Sequence, residues 1–220
     1  MRRNPLPVGP VLIGVLAFDT AFFWFYPALA QAVPLLSQNG PLANFTLYLV
    51  WGVSILTACR LTGRGLAWLG FSRENVGRRL LAGLGLGCAT ALGSTLVYLL
   101  MGFSMDQILS ASAPNVPALL LNLAWYLFLV GPAEELAFRG YLFHALSEVT
   151  RSPGLACTLT SLLFGAMHLR GGNLLRVAST ALLGAIFTLP LLQGKRAMWA
   201  SVSAHSAHNA ALELLRWFFC

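Results

Sequence analysis

The sequence predicts an all-α fold: a polytopic transmembrane helical bundle of about seven helices, or eight, forming one membrane domain over residues 1–220. Three observations predict it. Apolar residues make up 57% of the chain and charged residues only 10%, where a soluble domain carries about 25% charged residues. The apolar residues fall into stretches near the roughly 20 residues that cross hydrocarbon as a helix. The 14 bases, all arginine except Lys195, are scattered at the ends of those stretches. The net charge of +7 therefore reads as a set of topology signals, and nucleic acid is excluded as a partner.

Charges and turn residues mark the segments in order as 8–30, 41–59, 80–103, 117–146, 154–170, 174–193 and 197–219. The first follows Arg2 and Arg3 closely, as a signal peptide would. It is long, however, carries Asp19 and Pro27, and lacks a small-residue cleavage site, so it is expected to be a retained helix. The second ends at Arg60. The polar stretch 60–79 after it carries five arginines among Trp68, Leu69 and Phe71, and reads either as a segment resting at the lipid interface or as an ordinary loop. With a cytoplasmic amino terminus, eleven bases fall inside (Arg2, Arg3, Arg60, Arg64, Arg73, Arg78, Arg79, Arg139, Arg151, Lys195, Arg196) and three outside (Arg170, Arg176, Arg216). That balance satisfies the positive-inside rule. Cys59, Cys88, Cys157 and Cys220 lie in or beside apolar stretches without CxxC spacing, so neither a disulfide framework nor a zinc cluster of cysteines is expected.

Of the seven acidic residues, Glu134 and Glu135 are adjacent inside the fourth apolar segment. An unpaired carboxylate in hydrocarbon costs several kcal/mol and marks a site. Glu135 and Arg139 are four apart on one helical face and can satisfy each other. Glu134 points about 100° away, toward the face of Phe138, and must find its partner on another helix or in a water-filled cavity. Later segments offer candidates: Phe164 and His168 four apart in the fifth, His205 and Asn209 four apart in the seventh. At 1.5 Å per residue, Glu134, His168, His205 and Asn209 lie about 18, 21, 12 and 18 Å from the cytoplasmic surface, one slab near mid-membrane. His208 reads as a helix-packing histidine, His144 as interfacial, and Asp19 as a residue with a partner elsewhere.

The ordered set EExxxR (Glu134, Glu135, Arg139), FxxxH (Phe164, His168) and HxxxN (His205, Asn209) on successive hydrophobic helices resembles the CPBP family of CAAX-processing and bacteriocin-processing intramembrane proteases, related to the Ras-converting endopeptidase. The resemblance covers residues 117–212, the expected catalytic core. It implies peptide-bond hydrolysis within the membrane: Glu134 and His168 activate a water, His205 and Asn209 bind the oxyanion, and Glu135 with Arg139 holds Glu134 in place. It further implies a membrane protein or peptide as substrate and residence in a bacterial inner membrane. Substrate entry is expected from the cytoplasmic side. Zinc is the one cofactor left open, with Glu134, His168 and His205 as its ligands; a glutamate-type mechanism without metal is preferred. The competing readings are a catalytically silent membrane scaffold or immunity factor, and a proton-coupled transporter.

Overall fold

The computed structural model describes residues 5–109, 115–194 and 196–219. Arg2, Arg3, Lys195 and Cys220 lie outside these residues. Among the described residues the protein is helical with no strand. Each expected segment falls on a helix: α1 (Val8–Ala32), α2 (Gly40–Leu61), α3 (Val76–Leu100), α4 (Val116–Thr150), α5 (Pro153–Met167), α6 (Leu174–Gln193) and α7 (Met198–Phe219). Short helices at Pro34–Ser37 and Met105–Leu109 and a 3-10 turn at His168–Gly171 complete the chain.

Five of these helices, α1, α2, α3, α4 and α6, are long and apolar enough to cross a membrane. The 15 residues of α5 span about 22 Å, less than the roughly 30 Å of hydrocarbon. Helix α7 is long enough, but it carries His205, His208, Asn209, Glu213 and Arg216. The chain is a multi-pass integral membrane protein in which the least apolar helix lies among the others.

Polar N-caps explain where four helices start. Side-chain oxygens of Asn39, Asn115, Ser152 and Asn173 accept from Leu42, Ala118, Leu155 and Arg176 backbone N–H groups at 3.0 to 3.2 Å. Each satisfies a donor that the first helical turn leaves open.

Small residues set the helix spacing. On α3 the buried face is Gly83, Gly87, Ala91 and Thr95, one residue per turn. A methyl group on Gly83 or Gly87 would collide with the Ala200 or Ala204 carbonyl of α7. Close backbone approach of this kind drives helix association where water supplies no hydrophobic force. Gly165 plays the same part between α5 and α6, where a Cβ would come within 2.5 Å of the Val177 carbonyl oxygen.

The stretch after α2 turns into protein rather than lying along lipid. Leu69 is 1% exposed, Trp68 meets Tyr141 edge-on at 5.9 Å, and Phe71 meets Trp199 at 5.0 Å. Met198 N–H donates to the Gly70 carbonyl at 3.1 Å, and Trp199 Nε1 donates to the Ser72 carbonyl at 2.9 Å. Arg64 pairs with Glu148 at 2.5 Å. The segment caps one end of the bundle, against the end of α4 and the start of α7.

Candidate active site

Helix α4 departs from α-geometry on both sides of the paired glutamates. Tyr126–Val130 and Leu136–Leu142 are π-helical, and Gly131–Glu135 between them is α-helical. Pro132 accounts for the first widening, because its missing N–H and bulky ring interrupt the regular ladder. Gly131 lets α4 meet α7 here, since any side chain would collide with Ser206.

Glu135 is fully buried and Arg139 is 1% exposed. Arg139 Nη1 lies 3.0 Å from Glu135 Oε1, yet no guanidinium nitrogen makes an aligned hydrogen bond among the described residues. Charge and aromatic contact hold it instead: the guanidinium sits 4.4 Å from the Phe164 ring centroid, a cation–π distance. Gly184 of α6 leaves the space, as a Cβ there would come within 3.1 Å of Arg139 Nη2.

The same Glu135 oxygen receives a second partner, His205 Nδ1, at 2.8 Å. His205 is stacked on Phe187 at 5.3 Å and meets Phe164 edge-on at 5.7 Å. With Nδ1–H given to Glu135, Nε2 is directed to Glu134, 3.7 Å from its Oε2. His205 thus stands between the two carboxylates. The Glu135–Arg139 pair reaches Glu134 through this imidazole.

Glu134 itself lines a cavity of about 330 Å³ together with His168, Tyr48, Phe138 and Phe164. Tyr48 donates its hydroxyl to Glu134 Oε1 at 2.9 Å. His168 Nδ1 lies 2.8 Å from the Phe164 carbonyl oxygen, to which it donates, leaving Nε2 as the acceptor. The remaining wall is mostly apolar, with Arg170 and Arg176 as its cations. Arg170 donates to the Phe23 carbonyl at 3.0 Å. These arginines stand at the end of the bundle opposite the Arg64–Glu148 cap, on the side that the charge count assigns to the exterior.

The structure brings Glu134 and His168 into one cavity and places His205 behind Glu134. Neither His205 nor Asn209 is among the residues lining the cavity; Asn209 is half-buried one turn beyond His205 on α7. Among the described residues no three His, Cys, Asp or Glu side chains converge as a metal-ligand set. His208 faces α3, its Nδ1 3.0 Å from Thr90 Oγ1, as a packing histidine. His144 points back to the Arg139 and Gly140 carbonyls at 3.0 and 2.8 Å and lies against Trp68. Asp19 has Ser54 of α2 as its polar neighbour.

Two features escaped sequence reasoning. Tyr48 carries no local signal, being one aromatic residue in an apolar helix. Glu213 is 2% exposed, accepting from Asn122 Nδ2 at 2.7 Å and pairing with Arg216 at 3.0 Å. Arg216 also donates to the Leu109 carbonyl. The i, i+3 spacing of Glu213 and Arg216 could have exposed this pair, which Arg216's assignment to topology concealed.

Residues 116–211 match the family model for type II CAAX prenyl endopeptidases, Rce1-like. That segment is similar to the Rce1-like CAAX prenyl endopeptidases. It contains Glu134, Glu135, Arg139, Phe164, His168, His205 and Asn209, and runs from the start of α4 into α7. No curated protein and no solved structure matches the chain. Helices α1 to α3 lie outside the Rce1-like segment, yet Phe23, Tyr48 and Trp51 from the first two form one wall of its cavity.

Proposed function

We propose that the protein is an intramembrane endopeptidase that cleaves a peptide bond of a membrane-associated protein or peptide through a glutamate-activated water. The observation that carries this reading is the Glu134 carboxylate facing a cavity shared with His168, inside a segment of CAAX-type protease kinship. Glu134 takes a proton from water as the hydroxyl attacks the scissile carbonyl carbon, and returns it to the leaving amine. His168, its ring fixed through Nδ1, accepts a hydrogen bond from the same water at Nε2. Preorganised donors aimed at developing negative charge are worth about 3 kcal/mol each in hydrolases. His205 and Asn209 of α7, expected in that role, lie outside the cavity lining, with His205 engaged by Glu135 and Glu134, so the proposal rests on Glu134 and His168. The apolar walls suit apolar substrate side chains, and Arg170 and Arg176 suit a carboxylate. With a cytoplasmic amino terminus, the end bearing these arginines faces the exterior.

Comparing the membrane proteome of a deletion strain with one carrying Glu134→Gln tests the assignment. The expected result is a protein terminus that stays uncut in both strains and is restored by the wild-type chain. Normal processing in the Glu134→Gln strain overturns the reading.

A further inference from the structure

We propose that Tyr48 is a positioning residue for Glu134, contributed by a helix outside the Rce1-like segment. The inference rests on the reading of Glu134 as the base. A carboxylate that must take a proton from a water has to present one oxygen to it in a fixed direction, and rotation of the carboxyl group would spoil that alignment. Tyr48 Oη donates to Glu134 Oε1 at 2.9 Å, while Oε2 faces His205 Nε2 at 3.7 Å. The two oxygens therefore have different neighbours, and the phenol fixes which one is which. Its neutral O–H makes a charge-assisted bond to the carboxylate without supplying a cation that would tie the base up in an ion pair.

The tyrosine is itself held. Its ring meets Trp51 edge-on at 6.1 Å, and Trp51, 5% exposed, meets Phe138 edge-on at 6.3 Å and Phe23 at 6.0 Å. Phe138 lies one turn beyond Glu134 on α4, so the aromatic chain fixes α2 against the helix whose glutamate it serves. Tyr26, by contrast, donates to the Ala43 carbonyl at 2.5 Å between α1 and α2, away from the glutamates. It is a tyrosine with a structural bond and serves as the control.

The test uses the full chain in proteoliposomes and a synthetic peptide spanning the terminus left uncut in the Glu134→Gln strain. Tyr48→Phe keeps the ring and removes only the hydroxyl. It is expected to lower kcat roughly 10- to 100-fold with KM within about twofold of wild type, since uniform binding is untouched. Tyr26→Phe is expected to leave kcat unchanged. Wild-type kcat in Tyr48→Phe, with Glu134→Gln inactive, overturns the role of Tyr48 and leaves the endopeptidase reading standing. A loss in Tyr48→Phe that appears in KM, or that tracks a fall in Tm, assigns the hydroxyl to binding or packing and also overturns the role. An active Glu134→Gln variant, or a strain bearing it with no uncut terminus, overturns both readings.

Discussion

Two demands meet in the carboxylate of Glu135: it neutralises Arg139 at 3.0 Å and orients His205 at 2.8 Å through the same oxygen. Its neighbour Glu134 makes no ion pair with Arg139, meets His205 only at 3.7 Å, and faces the cavity. The two glutamates should therefore respond differently to the same substitution. Glu135→Gln leaves the Arg139 charge buried without its counter-ion, and removing one partner of a buried pair costs about 3–5 kcal/mol. Thermal unfolding in detergent should show that loss for Glu135→Gln, while Glu134→Gln unfolds within about 1 kcal/mol of wild type, its partners being a neutral hydroxyl and an imidazole. Equal stabilities for the two variants would contradict the division of labour. The adjacency of these acids and the spacing to Arg139 are legible in the sequence, because helix periodicity alone brings positions four apart together. The histidine that joins them is not, since nothing local says which face of α7 turns toward α4.

That rotation is decided between elements. Gly83 and Gly87 bring α3 against the Ala200–Ala207 stretch of α7, and His205 lies within that stretch. The contact leaves the histidine on the side of Glu135 and Phe187. Gly87→Ala places a methyl group against the Ala204 carbonyl and Ala207, and either helix must shift. The expected outcome is a loss of stability of about 1–3 kcal/mol, as for overpacking elsewhere, together with reduced proteolysis. Gly85→Ala on the same helix, with no atom within 4 Å of the added Cβ, should retain both. Matching behaviour of the two variants, read by Tm and by cleavage of the same peptide, would remove the glycine contact as the reason for the placement of α7. At this scale the helices themselves were readable from hydropathy and flanking charge. The inward turn of residues 60–79 was not, because Trp68, Leu69 and Phe71 suit lipid and protein equally well as solvents.

Across the whole molecule the two ends are built differently. One is closed by the capping segment, with Arg64, Trp68 and Glu148 joined; the other carries the short helix Pro34–Ser37 and the arginines of the cavity wall. Single cysteines in a background lacking Cys59, Cys88, Cys157 and Cys220 can read this arrangement, using the exposed Leu66 and Leu174. Leu66→Cys is expected to react with a membrane-impermeant thiol reagent from the cytoplasmic side only and Leu174→Cys from the opposite side only. Reaction of both from one side would overturn the arrangement of the bundle in the membrane.

The sequence alone determined the membrane bundle, its helical segments and the family motifs, because hydropathy, charge placement and helical spacing are properties of a continuous stretch of chain. Tertiary structure alone decided the partners: Tyr48 on Glu134, His205 on Glu135, Asn122 on Glu213, and the capping segment on α4 and α7. Each of those pairings joins residues at least 70 positions apart or depends on the choice between lipid and protein. Helix rotation and glycine-limited spacing settle such choices, and a sequence read one segment at a time contains neither.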